Sequence, residues 1–160
     1  MIEGWDSNIV SFIELCNKHG VRLLMVGGGA VNFHGYQRHS ADVDFWIDTS
    51  QINLDNLLLV LQEMKYDVQE FPESIQRQEQ NISLKFSPES MYVELITRFS
   101  INKPFDEAFN HSEPIIIKNH PLLKWNVLNL EDLITSKIKS GRPKDFLDIQ
   151  ELQRIHKKSK

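Results

Sequence analysis

Apolar residues recur along the chain at two spacings, one typical of helices and the other of strands. Helical spacing predicts helices at residues 7–19, 30–34, 53–64, 104–109, 130–140 and 143–155. Apolar or alternating runs predict strands at residues 21–26, 42–48, 66–71, 82–86, 91–97, 115–118 and 122–127. Because helices and strands mix, we expect an α/β or α+β domain with a mixed β-sheet flanked by helices.

Capping and helix-breaking residues indicate where the predicted helices begin and end. Asp6 or Ser7 can cap the first helix, and Gly20 ends it. Gly141 separates the two C-terminal helices. The 160 residues suit a single domain over 1–160, with about residues 130–160 as a C-terminal helical segment.

Composition and charge narrow the class of protein. Hydrophobic residues make up 41% and charged residues 25%, an ordinary mixture for a globular domain. The formal net charge of -4 argues against wrapping duplex nucleic acid, which requires a basic surface. The single cysteine, Cys16, cannot form an intrachain disulfide, and no apolar run approaches the roughly 20 residues of a membrane span. We expect a cytoplasmic protein with no membrane partner.

Three acidic residues are the first candidates for chemistry. Asp42 and Asp44 are two positions apart on a predicted strand, so both side chains point to the same face. Their mutual repulsion would be relieved by a divalent cation, and Mg²⁺ prefers carboxylate oxygens. Glu94 interrupts an apolar strand, where a lone charge is costly unless it has a partner. We expect Asp42, Asp44 and Glu94 to form one catalytic and metal-binding cluster.

Glycines and basic residues are candidates for binding phosphate. Gly27 and Gly28 follow a predicted strand and precede a helix, where missing side chains let a phosphate approach the backbone. The stretch is neither a Walker A loop nor a dinucleotide fingerprint. Arg38 is four residues before Asp42 and can neutralise phosphate or brace the aspartates. Further candidates for a basic lip are Lys137, Arg142 and Lys144.

Each of these features also has a purely structural interpretation. The two aspartates can be solubilising charges on an edge strand. The glycines can form a tight turn, and Arg38 can simply pair with an aspartate. The C-terminal bases can lie on a solvated helix face, balanced by Asp145 and Asp148.

Taken together, the residues resemble the nucleotidyltransferase superfamily, specifically small bacterial proteins of the AbiEii and DUF6036 type. Their first motif runs GG-x-A, HG, R, S or T and D-x-D, matched here by Gly27, Gly28, Ala30, His34, Gly35, Arg38, Ser40, Asp42 and Asp44. Their late element, a lysine and then GR-x-KD, is matched by Lys137, Gly141, Arg142, Lys144 and Asp145. The likeness covers about residues 20–152, and the family more often has aspartate at the position of Glu94.

The resemblance implies a nucleotidyltransferase fold, a mixed sheet that carries the carboxylates, with helices packed against it. It implies that Gly27 and Gly28 hold a nucleoside triphosphate and that Asp42, Asp44 and Glu94 hold Mg²⁺, with two ions the expected number. The implied reaction transfers a nucleoside monophosphate to an acceptor hydroxyl while pyrophosphate leaves. Glu94 is then the candidate general base.

Four functions remain open at this point. The first is an active nucleotidyltransferase. The second is a toxin–antitoxin component that modifies a tRNA end or a protein hydroxyl, with a cognate antitoxin as partner. The third is an antibiotic-type adenylyltransferase with a small-molecule acceptor, and the fourth is a catalytically degenerate binding module. Because a chain of 160 residues leaves little room for acceptor recognition, the tail helices or a partner chain, including a second copy, would supply it.

Overall fold

The computed structural model describes residues 5–158 of the chain, which form helices on a central β-sheet. The helices are α1 Ser7–Lys18, α2 Gly27–Phe33, α3 Gln51–Glu63, α4 Glu73–Gln76, α5 Phe105–Asn110, α6 Leu130–Ser140 and α7 Pro143–Lys158. The strands are β1 Leu23–Val26, β2 Asp42–Ile47, β3 Ile82–Leu84, β4 Tyr92–Ile96, β5 Glu113–Ile116 and β6 Lys124–Val127.

The six strands of the described residues form one mixed sheet in the order β3-β4-β2-β1-β6-β5. Two pairs are parallel, β2 with β4 and β1 with β6. The other three neighbouring pairs are antiparallel. The predicted mixed sheet with flanking helices is therefore confirmed, including the hairpin of β5 and β6.

Alternation along β2 and β4 separates a buried face of the sheet from the face that carries the acidic residues. Val43 and Phe45 of β2 lie in the core with Val93 and Leu95 of β4, all of them no more than 3% exposed. Because successive side chains of a strand point to opposite faces, the residues between them lie on the other face. Strand geometry thus places the polar residues of both strands together on one side.

The ends of the outer helices follow the capping residues predicted from the sequence. The Asp6 carboxylate accepts hydrogen bonds from the backbone N–H groups of Asn8 and Ile9, each at 3.0 Å. Gly20 follows α1 with a φ of +70°, and Gly141 separates α6 from α7 with a φ of +63°. The turn at Gly141 lets α7 fold back onto α6, and α6 in turn contacts α2.

Two local predictions are wrong. Helix α2 begins at Gly27, three residues earlier than expected, so the glycines form its first turn. Residues 66–71 form no strand, because the chain leaves α3 through a positive φ at Lys65 and the Val68 carbonyl accepts from the Gln62 side chain. The short helix α4 follows this segment and was not predicted. Within residues 5–158 none of the helices combines the length and the apolar character that crossing a bilayer requires.

Candidate active site

The register between β2 and β4 brings two of the three predicted carboxylates side by side. Asp44 is directly opposite Glu94 in this parallel pair, and Asp42 is opposite Tyr92. Asp42 and Asp44 are two residues apart on one strand, so all three carboxylates lie on the same face of the sheet. Residues separated by 50 positions in the chain therefore share one site.

Burial and neighbouring charges shift the titration of Asp44. Burial raises the pKa of the Asp44 carboxyl to about 6, and the negative charges of Asp42 and Glu94 contribute to the same increase. Lys137 and Lys144 act in the opposite direction but do not cancel it. A carboxylate held in this way gains when a cation approaches, which is the behaviour expected of a metal ligand before the metal binds.

Close packing explains why glycines occupy the start of α2. A Cβ at Gly27 would overlap the Oδ2 atom of Asp44 and lie 3.2 Å from its Cβ, and the φ of Gly27 is +62°. A Cβ at Gly28 would lie 2.7 Å from the Cβ of Ser40. The two glycines therefore let α2 approach the loop and the strand that carry the aspartates.

A cleft of about 420 Å³ opens over Asp44 and Glu94, with Gly27 at its edge. We call it the basic cleft because four basic residues line it: Arg98, Lys137, Lys139 and Arg142. Its volume lies within the range of small-molecule sites. Positive side chains around a carboxylate floor are suited to a polyanion that is bound together with a cation.

A sequence model of a family described as nucleotidyl transferase of unknown function (DUF2204) matches residues 7–160. The chain belongs to this family. No curated protein sequence shows significant similarity to it. Membership supports nucleotidyl transfer in general and agrees with the mixed sheet and flanking helices, whereas the more specific AbiEii and DUF6036 likeness stays a prediction.

In this nucleotidyl transferase family member, two of the three C-terminal bases, Lys137 and Arg142, are held by buried aspartates of α7. Lys137 is 5% exposed, and its Nζ lies 2.9 Å from Asp148 Oδ2 and 3.4 Å from Asp145 Oδ1. Arg142 donates from Nε and Nη2 to Asp145 at 2.8 and 3.1 Å. Burial alone raises the pKa of Asp145, but hydrogen bonds from the Arg142 side chain and backbone outweigh it and hold that pKa well below its usual range.

Arg38 lies outside the basic cleft. Its Nε and Nη2 donate to the two carboxylate oxygens of Asp148 at 2.8 and 3.0 Å, and Asp148 is 1% exposed. Arg38 thereby ties the loop before β2 to α7 and lines a second cleft together with Asp42. Lys144 is exposed and does not line the basic cleft.

Two other motif residues have structural partners. The buried His34 ring lies 2.8 Å from the Leu128 carbonyl, which accepts a hydrogen bond from its Nε2. Ser40 donates to the Asp42 carbonyl at 2.9 Å and so orders the start of β2. Part of the motif therefore supports the aspartates through the backbone rather than by contact with a ligand.

Three residues of the site were not singled out from the sequence. Ser83 of β3 donates a hydrogen bond to Glu94, and Arg98 and Lys139 line the basic cleft. Arg98 lies just beyond the end of β4, outside the predicted strand, so strand alternation did not identify it. No signal identified Ser83, because its position depends on the antiparallel pairing of β3 with β4.

Proposed function

We propose that this protein transfers a nucleoside monophosphate from a nucleoside triphosphate to an acceptor hydroxyl in the basic cleft. The observation that carries the proposal is the in-register pair of Asp44 and Glu94 on neighbouring parallel strands, beneath a rim of basic side chains. Family membership supports the general reaction class.

The basic rim is suited to hold the triphosphate. Arg142 is about half exposed, so its guanidinium can bind a phosphate without leaving Asp145 completely. Lys137 is buried between two carboxylates and adds a fixed positive charge close to Asp44. We propose these two residues as the main phosphate contacts, with Gly27 leaving the backbone at the start of α2 open to the cleft. Gly28 is buried against Ser40 and lines neither cleft.

The donor chemistry fits Mg²⁺. In the described part of the chain, no group of three or more His, Cys, Asp or Glu side chains has an arrangement that could hold a metal ion. Magnesium, however, is usually bound by one or two carboxylates, with phosphate oxygens and water completing its ligands. Asp44 and Glu94, assisted by Asp42, would hold it here, and it would neutralise charge that develops on the phosphates.

The proposed reaction is a displacement at the α-phosphorus of the triphosphate, with Glu94 as the proton acceptor. The acceptor oxygen forms a bond to the α-phosphorus, and the bond from that phosphorus to the bridging oxygen breaks. Pyrophosphate leaves with the electron pair, and the hydroxyl proton passes to the Glu94 carboxylate. Ser83 donates to Glu94 and so orients the carboxylate for this role.

The test measures binding before turnover. Calorimetry with a non-hydrolysable ATP analogue and MgCl₂ should show binding to the wild type and at least tenfold weaker binding to Asp44→Asn. The matched control is Asp67→Asn, since Asp67 is exposed and lies outside both clefts. No binding of ATP, GTP, CTP or UTP analogues with Mg²⁺ by the wild type would refute the proposal.

A catalytically degenerate binding module is the second candidate. Two observations favour it. Glu94 accepts a hydrogen bond from Ser83. Among the described residues, the three carboxylates are not arranged as a group that could hold a metal ion. This candidate predicts that a triphosphate binds equally well with and without Mg²⁺ and that no pyrophosphate is released. Pyrophosphate release in the presence of Mg²⁺ and an acceptor would exclude it.

The toxin–antitoxin setting rests on the AbiEii resemblance alone. We keep it as a proposal, together with a cognate antitoxin or a second copy of the chain as partner and a cytoplasmic location. Growth arrest on expression, relieved by a neighbouring gene, would support it. Harmless overexpression would count against it.

A further inference from the structure

The four bases that line the basic cleft differ in what already binds them. Lys137 and Arg142 form ion pairs with buried aspartates of α7. Lys139 donates to the side-chain amide oxygen of Asn102, which is a neutral partner. The Arg98 guanidinium makes no hydrogen bond and no ion pair with any described residue. Among the described bases of the cleft, Arg98 is therefore the one whose donors are all open to a ligand.

A second unused donor lines the same cleft. The Oδ1 atom of Asn81 accepts a hydrogen bond at 3.0 Å from the backbone N–H of Thr97, the residue before Arg98. Because a backbone N–H can be met only by the amide oxygen, this bond fixes the orientation of the side-chain amide. Asn81 Nδ2 makes no hydrogen bond within the described part of the chain and is the atom left for a ligand. Arg98 and Asn81 thus both have N–H donors to spare.

An aromatic side chain accompanies these donors. Phe99 lines the cleft and is partly buried, and its ring centroid lies 5.2 Å from that of Trp46. Trp46 is two residues beyond Asp44 on the same face of β2, a rise of about 7 Å along the strand. Ile96, which is opposite Trp46 on β4, adds apolar surface to the cleft. An aromatic wall with free donors therefore lies further along the strands than the carboxylates, by about the span of one ribose.

A nucleoside triphosphate has a matching division along its length. Its phosphates carry the charge, whereas its base has two apolar faces and a polar edge. With the phosphates at Asp44, Lys137 and Arg142, as proposed above, the base lies beside Phe99. Aromatic side chains stack on the face of any base, and contacts with the edge distinguish one base from another.

We propose that the part of the cleft lined by Asn81, Arg98 and Phe99 holds the base and selects guanine and uracil over adenine and cytosine. This inference rests on the proposed nucleotidyl transfer. Guanine presents the acceptors O6 and N7, and uracil presents the acceptor O4, to the donors of Arg98 and Asn81. Adenine and cytosine have an amino group in place of that carbonyl, and it would face these donors without a partner. Phe99 stacks on the base and strengthens binding without selecting.

The experiment compares non-hydrolysable analogues of all four nucleoside triphosphates, each titrated into the full chain with MgCl₂. We expect the GTP analogue to bind at least tenfold tighter than the ATP analogue, and the UTP analogue to exceed the CTP analogue by a similar factor. An inosine triphosphate analogue, which keeps O6 and N7 but lacks the 2-amino group, should bind like the GTP analogue. Either ratio within twofold of one would overturn the proposal.

Substitutions at the two donors test where the selection arises. Asn81→Asp keeps the oxygen that accepts from Thr97 and replaces the free donor with an acceptor. It should lower the ratio of GTP to ATP affinity at least fivefold, and its added charge cancels from this ratio because both nucleotides carry the same phosphates. Arg98→Gln should lower the ratio by a similar factor. Arg77→Gln is the matched control, since Arg77 pairs with two exposed glutamates and lines neither cleft.

The affinity ratios separate this inference from the proposed function. If none of the analogues binds with Mg²⁺, the proposed function fails and this inference fails with it. If all of them bind and Arg98→Gln weakens them equally, Arg98 contacts a group common to all triphosphates, and the selection proposed here is wrong while nucleotidyl transfer stands. Phe99→Leu should weaken all four analogues by similar factors and leave both ratios unchanged, with thermal unfolding as the check that each variant folds. A changed ratio in Phe99→Leu would contradict the role assigned to the ring.

Discussion

Gly27 and Asp44 lie so close that a Cβ at position 27 would overlap the Oδ2 atom of Asp44. The backbone of Gly27 also has a φ of +62°, which costs an L-residue about 1–2 kcal/mol. We expect Gly27→Ala to lower stability by about that amount and to displace the Asp44 carboxylate. Nucleotidyl transfer should then fall far more than stability, at least tenfold, as measured by pyrophosphate release and thermal unfolding.

The control for this variant is Gly20→Ala. Gly20 has a similar φ of +70°, but its nearest non-neighbouring atom from a Cβ is 4.0 Å away, on Asn56. It therefore carries the same backbone cost without the clash. Equal losses of activity in the two variants would show that the Gly27 contact with Asp44 does not matter to the site.

The burial of Asp44 predicts how stability depends on pH. Its pKa is about 6 in the folded chain and about 4 when exposed, so the folded state binds more protons between these values. The folded chain therefore keeps its full stability below about pH 4, where the Asp44 carboxyl is protonated. It loses stability as the pH rises from about 4 through 6, because the buried carboxyl must then ionise. The shift corresponds to roughly 3 kcal/mol at pH 7.

Asp44→Asn should accordingly raise the Tm at pH 7 and have little effect at pH 4. MgCl₂ should raise the Tm of the wild type and should not raise that of the variant, because the cation relieves the same repulsion. Thermal unfolding at both pH values, with and without MgCl₂, measures each effect, and Asp67→Asn is the control. A lower Tm at pH 7 would show that the charge of Asp44 is compensated in the folded chain.

Period-two alternation was enough to predict that Asp42 and Asp44 share a face and that Glu94 lies on a strand. It was not enough to predict that β4 is the parallel neighbour of β2, because strand order is a property of the whole sheet. The bond from Arg38 to Asp148 joins positions 110 residues apart, and no local pattern identifies such a pair. The second cleft depends on the same packing of distant segments.

Glycine patterning was informative about position but not about conformation. The three consecutive glycines were placed between a predicted strand and a helix that begins at residue 30, with a tight turn as the structural alternative. They form the first turn of α2 instead, since larger residues at Gly27 and Gly28 would collide with Asp44 and Ser40. Tertiary contact outweighed the intrinsic preference of the residue.

Glu94→Gln tests the assignment of the general base. The substitution keeps the size of the side chain and leaves the oxygen that accepts from Ser83, so the fold should be unaffected. Loss of a general base typically lowers the rate by about 10²–10⁴-fold. We expect a loss of this size in turnover at saturating triphosphate and MgCl₂, beyond any loss of affinity for the triphosphate analogue. Unchanged turnover would remove Glu94 from the reaction.

Arg38→Lys separates two roles for the arginine, a phosphate ligand or a support for α7. Lysine cannot reproduce the two parallel hydrogen bonds to Asp148, so we expect a loss of about 1–3 kcal/mol in stability. The Kd of the triphosphate analogue should stay within twofold, because Arg38 does not line the basic cleft. Arg22→Lys is the matched control, since Arg22 forms ion pairs with Asp48 and Asp106 and lines neither cleft. If the Kd rises tenfold in Arg38→Lys and not in Arg22→Lys, Arg38 leaves Asp148 to bind phosphate, as the sequence pattern first predicted.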